Sequence, residues 1–286
     1  MPELPEVEMA RRYLEKTSLR QAIKEAEIRD ARILWGVDAT QLADALAGRE
    51  FSATYRHGKR LFLGLDKDLW LALHLGMSGD FAYFRGRKEE PRHTRLLIAF
   101  ENGCHLAFID PRMFGEVSLP RDPESFLKEK MIGADALQLD LAGFQEIMRR
   151  RRGIIKGTLL NQHLLAGLGN LYSDEALFAA GICPQARALS DDRLESLHYS
   201  IQEVLRMAID CEADLRELPP SYLIPNRYPG GKCPRDGSLL VRARIAGRTT
   251  YCCLEHQPVR TVTRNDIKRR RSVILAKSSH RSQIGH

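Results

Sequence analysis

Leu61-Phe62-Leu63-Gly64-Leu65 is followed by Leu69 to Leu75, Leu96 to Phe100 and His105 to Ile109, all short apolar or alternating runs. Turn pairs such as Lys67-Asp68 and Asn102-Gly103 separate them. Runs of strand length punctuated in this way predict a β-sandwich or barrel, and strand character extends from about Ile23 to Leu119. Upstream, Val7 to Leu14 has helical spacing after a Pro/Glu-rich start, which predicts a short helix beginning near Pro5 or Glu6. Beyond Pro120 the period changes. Ala136 to Arg151, Leu159 to His163, Tyr172 to Ala180 and Asp191 to Ile209 read as helices, punctuated by Gly167, Gly169, Gly181 and Pro184.

The expected fold class is therefore α+β in two domains. Residues 1–120 form an N-terminal β-sandwich with flanking helices, and residues 121–217 a helical domain. A Pro-, Gly- and Tyr-rich loop with a small hairpin follows at 218–257, and a basic tail at 258–286. A chain of 286 residues is long enough for two cores. Its 43% hydrophobic and 28% charged content excludes a disordered or fibrous chain.

Lys and Arg number 44 against 37 Asp and Glu, a formal charge of +7. The excess is clustered in Arg149 to Arg152 and Lys268 to Arg271, which favours a polyanion as partner. No apolar stretch approaches the ~18 residues of a membrane span, and no secretory signal opens the chain. The expectation is a cytoplasmic, nucleoid-associated protein without a membrane partner. Three cysteines fall within Cys233 to Cys253 while Cys104, Cys183 and Cys211 are scattered, a pattern that suits reduced thiols with one local metal site.

Removal of Met1 would leave Pro2 with a secondary amine, which forms an iminium ion with an aldehyde-like carbon. With an ordinary α-amino pKa near ~8, part of it is neutral at physiological pH. Glu3 follows directly and can pass a proton to a departing or ring oxygen. Pro5 and Glu6 suit a helix start.

Met1-Pro2-Glu3-Leu4-Pro5-Glu6-Val7-Glu8 resembles the opening of the formamidopyrimidine-DNA glycosylase family, whose relatives include endonuclease VIII. The Leu4-Pro5-Glu6-Val7 form is nearer the formamidopyrimidine branch. The likeness continues in order along nearly the whole chain. It implies that Pro2 attacks the sugar C1′, that Glu3 protonates the sugar and that Glu6 positions the terminus. Arg56-His57-Gly58-Lys59-Arg60 resembles the family segment whose lysine assists β-elimination, which makes Lys59 the candidate.

An extruded nucleotide leaves a gap in the duplex that side chains must fill. His74-Leu75-Gly76-Met77-Ser78-Gly79 and Asp110-Pro111-Arg112-Met113-Phe114-Gly115 resemble two family loops, so Met77, Arg112 and Phe114 match the gap-filling trio. His93 lies where the family has a DNA-contacting histidine, although Arg95 is less usual after it. Ile155-Lys156-Gly157 through Gln162, with Ala166 to Glu175, resembles the family's helix-two-turn-helix element. That likeness makes Asn170, Arg152 and Lys156 candidate DNA contacts.

The last element resembles the family's zinc-finger-like hairpin and departs from it. In the usual four-cysteine register this chain has Cys233, Asp236, Cys253 and His256. These residue types can hold one structural Zn2+, and a metal-free hairpin held by packing is the alternative. Arg248 then falls on the hairpin-tip arginine that assists δ-elimination. Together these implications describe a monomeric base-excision-repair glycosylase and DNA-(apurinic or apyrimidinic site) lyase. It would act on oxidised purines, formamidopyrimidine and 8-oxoguanine, in damaged double-stranded DNA through a Pro2 Schiff base. An oxidised-pyrimidine enzyme of endonuclease VIII type, or a non-catalytic DNA-binding relative, are the competing readings, the first because Leu218 to Lys232 is short and Pro-rich.

Overall fold

The computed structural model describes residues 1–66 and 68–258. The expected basic tail lies, from residue 259 onward, outside the described residues.

Helix α1 (Leu4–Ser18) opens the chain, with Pro5 in its first turn and a reciprocal capping box between Glu3 and Glu6. Strands β1 (Ile23–Ile28), β2 (Ala53–His57), β3 (Arg60–Asp66), β4 (Leu69–His74), β5 (Asp80–Arg85), β6 (Thr94–Phe100), β7 (Cys104–Ile109) and β8 (Glu116–Ser118) follow. They pair antiparallel in two four-stranded sheets, ordered β1-β6-β7-β5 and β2-β3-β4-β8. Leu61, Leu63, Leu71 and Leu73 of one sheet meet Leu96, Ile98, Leu106 and Phe108 of the other in one buried cluster. Alternate residues of a strand share a face, so the leucine spacing read in the sequence is what closes the sandwich.

Helix α2 (Ala39–Leu46) interrupts the stretch read as strands. Asp38 caps it in a box with Gln41, and Leu42 and Leu46 bury one face of it in the sandwich core. Helix α3 (Pro123–Glu129) packs Phe126 and Leu127 on Phe62 and Ala72, on the outer side of the second sheet.

The second domain begins with a two-stranded parallel pair, β9 (Ala134–Asp135) with β10 (Leu165–Ala166). Around it lie α4 (Leu141–Arg150), α5 (Ile155–Leu159), α6 (Asn170–Ala179) and α7 (Asp191–Asp210). Two expected helices are shorter or displaced. Asp140 caps α4, so Ala136 to Leu139 stay outside it, and the helix expected over Leu159 to His163 lies earlier, at α5. The hairpin β11 (Val241–Ile245) and β12 (Arg248–Cys252) completes the fold. No helix among the described residues is long and apolar enough to cross a membrane.

The two domains are joined by buried charge. Arg56, 5% exposed, donates to Asp135 across the boundary at 2.6 Å and to Glu8 of α1 at 3.2 Å. The same Asp135 oxygen accepts the Gly58 N–H at 2.7 Å. The Gly58-Lys59 turn between β2 and β3 is thereby pinned to the helical half. Breaking such a pair leaves an uncompensated buried carboxylate, which costs about 3–5 kcal/mol. Arg56→Met is accordingly expected to lower unfolding stability by about that much, read by urea denaturation of the full chain.

Candidate functional site

Glu3 is 4% exposed and its carboxylate crosses the domain boundary. It accepts the N–H groups of Gly169 at 2.6 Å, Leu171 at 2.9 Å and Tyr172 at 3.3 Å, at the N-terminus of α6. A helix N-terminus has free amides and a positive dipole end, so an anion there is well held. Gly169 is required by contact: a Cβ on it would stand 2.4 Å from the Glu3 carboxyl carbon. Burial nevertheless pushes the Glu3 pKa up, opposed by the Lys59 charge and the amide hydrogen bonds. Glu6 accepts the Glu3 N–H at 2.9 Å on one oxygen and the Tyr172 hydroxyl at 2.9 Å on the other. Pro2 is thus flanked by a terminus fixed at two carboxylates.

Pro2 and Glu6 line a cleft of about 590 Å³ whose other walls include Met77 and Ser78 from the loop after β4, and Glu212 and Ala213 after α7. Lys59 sits at the tip of the two-residue turn after β2, where Gly58 takes φ +56° and packs so closely on Ala166 that a Cβ would lie 2.6 Å from it. Burial lowers the Lys59 pKa; Glu3 and Glu6 oppose the shift, and Arg248 adds to it. Glu3, Glu6 and Arg248, from the chain start and the hairpin, are thus each close enough to Lys59 for their charge to be felt.

Arg248 starts β12 and is exposed. With Asn170, Arg242 and Arg244 it lines a second cleft of about 680 Å³. Asn170 donates its side-chain amide to the Thr249 carbonyl at 2.9 Å, and so ties α6 to the hairpin. Arg242 and Arg244 were not singled out in the sequence, although their alternate spacing on β11 was a visible signal. Arg152 is exposed after α4.

Lys156 does not meet the expectation of a DNA contact. Its side chain is fully buried, donating to Asp174 at 2.5 Å and to the Thr250 hydroxyl at 2.6 Å. A phosphate cannot reach an ammonium enclosed in this way. Asp174 also accepts from Arg227 at 2.9 Å and from the Tyr251 N–H at 3.3 Å, so this buried network orients the hairpin that carries Arg248. Motif position correctly flagged a basic residue, but its partners were far away in sequence.

Phe114 is 56% exposed, and the Arg112 guanidinium lies over its ring at 5.3 Å from the centroid. Their loop is held by Asp110, which is fully buried. Asp110 accepts from Gly115 N–H at 2.6 Å, Ser78 hydroxyl at 2.9 Å and Arg112 N–H at 3.2 Å. The Ser78 bond places the Met77 loop against the Arg112–Phe114 loop. His93 is exposed beside them, its carbonyl accepting the Asp110 N–H at 3.1 Å. Asp110 was quoted in the sequence without a role; only the fold reveals it as the organiser.

Of the four expected metal ligands, Cys233, Asp236 and Cys253 have ligand atoms within 4.8 Å of one another. Backbone N–H groups of Arg235 and His256 point to the two sulfurs, at 3.4 and 3.2 Å, while burial raises the Cys233 thiol pKa and the Cys253 thiol donates to Asp236 at 3.2 Å. His256 is not in that group. Its Nε2 is bonded to the Phe178 carbonyl at 2.8 Å and its ring packs on Phe178 with centroids 4.7 Å apart. The donor set therefore fits a metal at three corners, with the fourth protein ligand drawn away to α6.

The Leu218 to Lys232 loop is anchored at its middle to α6. Leu223 and Ile224 donate their backbone N–H groups to Glu175 at 2.9 and 2.7 Å, and burial pushes that carboxyl up to about 7.

Two family models match the chain: the formamidopyrimidine-DNA glycosylase N-terminal domain over residues 1–117 and the H2TH domain over 132–218. A formamidopyrimidine-DNA glycosylase of Desulfitobacterium hafniense is 34% identical over 273 residues, covering 88% of this chain and 98% of its own. One from Arabidopsis thaliana is 32% identical, covering 87% of this chain and 69% of its own. Among solved structures, MutM bound to DNA containing carbocyclic 8-oxo-G superposes with a TM-score of 0.81 at 32% identity, covering 90% of this chain and all of that one. The Lactococcus lactis enzyme bound to abasic-site DNA gives 0.82 at 32% identity, covering 90% and 99%. With the same two domains in the same order, and a relative 34% identical over 273 residues, this chain belongs to the formamidopyrimidine-DNA glycosylase family.

Proposed function

We propose that this glycosylase removes oxidised purines, formamidopyrimidine and 8-oxoguanine, from double-stranded DNA and then cuts the strand as a lyase. The observation that supports the reading is that Pro2 and Glu6 line one cleft, with the buried Glu3 next along the chain and Lys59 near enough for its charge to act on Glu3. Once Met1 is removed, the neutral Pro2 amine bonds to C1′ of the extruded nucleotide. Glu3, whose burial favours its protonated form, gives a proton to the sugar as the base departs. The resulting iminium is an electron sink, and loss of a sugar proton from C2′ expels the 3′ phosphate. Lys59, with its pKa lowered by burial, assists that step, and Arg248 assists the second elimination. Met77, Arg112 and Phe114 fill the vacated space in the duplex; Asn170, Arg152 and His93 contact its backbone.

Cys233, Asp236 and Cys253 would hold a single structural Zn2+, which would stiffen the hairpin behind Arg248. The arginine itself needs the hairpin's shape rather than the metal's charge.

Borohydride should trap the enzyme covalently on duplexes carrying an abasic site or 8-oxoguanine, with the adduct at Pro2 by peptide mass spectrometry. Absence of an adduct on the abasic duplex would defeat the catalytic reading. Gly169→Ala must displace the Glu3 carboxylate, and should lower glycosylase kcat about a hundredfold. Elemental analysis of the purified protein should find one zinc per chain, lost in Cys253→Ser with a fall in Tm; protein without zinc and fully active would remove the metal from the account. Because burial lowers the Lys59 pKa, its neutral form appears at lower pH than for an ordinary lysine. The lyase rate should therefore rise with pH through an apparent pKa below about 10.4, a limb that Lys59→Arg abolishes in single-turnover profiles.

A further inference from the structure

The cleft beside Pro2 carries three carboxylates on its walls, Glu6, Asp80 and Glu212. Two are engaged. Glu6 accepts from Tyr172 and from the Glu3 backbone, and Asp80 accepts the Phe81 N–H at 2.8 Å. Among the described residues no hydrogen bond or ion pair engages the Glu212 carboxylate. The volume of about 590 Å³ is in the range of small-ligand pockets.

Glu212 also sits in a backbone position that disfavours it. Glu212 and Ala213 take φ 52° and 58°, consecutive left-handed residues at the end of α7. They close the helix through Glu212 N–H to Ile209 O at 3.0 Å and Ala213 N–H to Ala208 O at 2.7 Å. Glycine serves such a turn without strain, so a strained side chain on the wall of a reactive cleft points to a role there. None of Leu218 to Lys232 lines the cleft, which leaves base reading to the walls that do.

We propose that Glu212 is the specificity-determining residue of this cleft, its carboxylate accepting the two adjacent N–H donors of a guanine-derived lesion. This rests on the reading that the cleft receives the extruded base. The Watson–Crick edge of a guanine-derived base presents a ring N–H beside an amino group, a pair that one carboxylate accepts with both oxygens. An adenine-derived edge places an acceptor nitrogen beside its amino group. Thymine-derived lesions put one N–H between two carbonyls, and cytosine-derived ones pair an amino group with an acceptor. Each of these sets an acceptor against the carboxylate. Met77 and Ser78, which also line the cleft, supply contact without charge.

The test compares kcat/KM for guanine-derived and adenine-derived formamidopyrimidine in otherwise identical duplexes, for the full-length wild type, Glu212→Gln and Glu212→Gly. Each variant should lower the guanine-to-adenine ratio by about tenfold or more, since a hydrogen bond to a charged group is lost. Glu212→Gly should do so while raising Tm by about 2–4 °C, because glycine relieves the strain; this separates specificity from stability. A ratio unchanged in both variants, or equal losses on both substrates, overturns the assignment of Glu212. Absence of borohydride trapping of the wild type on an abasic duplex overturns the reading of the cleft itself, and the proposal with it.

Discussion

The carboxylate of Glu3, received by the amides of Gly169, Leu171 and Tyr172, is the interaction on which the arrangement depends. It places the second residue of the chain at a fixed distance from a helix that belongs to the other domain. An N-terminal amine is ordinarily the most mobile group of a protein. Here its neighbour is clamped by an α6 terminus, while Leu4 is buried in the core of the helical half. The terminus therefore acts as a structural joint between the halves, and any change in their relative position moves the amine.

A second buried charge network acts on the hairpin. Lys156, Asp174, Arg227 and Thr250 connect α5, α6, the chain before the hairpin and β12. Asn170 adds a bond to the Thr249 carbonyl. Arg248 stands immediately before these anchored residues, so its backbone is placed by the helical domain as well as by the strand pair. Cys233, Asp236 and Cys253, whose side-chain donor atoms lie within 4.8 Å of one another, sit at the hairpin's far end. Tyr251, Phe178, Leu223 and Leu240 pack around Cys233 and Cys253 in one buried cluster that contributes to the hairpin's stability.

Short apolar or alternating runs in β3, β4, β6 and β7 were enough to expect a sandwich or barrel, because burial on one face of each strand leaves a period that survives any detail of packing. Helix α2 was missed because its eight residues fall between strands, and Leu42 and Leu46 alone make too short a periodic signal. The ends of α4 and α5 were misjudged for a related reason: caps such as Asp140 decide where a helix starts, and polar residues of this type are common in turns as well.

Local chemistry was legible in the order of residues. A proline at position 2, a carboxylate beside it, a lysine in a tight turn and a glycine-rich helix start can each be read from neighbours along the chain. What lay beyond reach was every assignment that depends on a distant partner. Lys156 and Arg152 look alike in sequence, yet Asp174 and Thr250 bury the first while the second faces solvent. His256 stands in register for a metal, yet the Phe178 carbonyl and ring hold it away. Whether a charged side chain meets water, a metal or a buried counter-ion is decided by which residues the folded backbone brings within about 3 Å, and linear order carries no record of that distance.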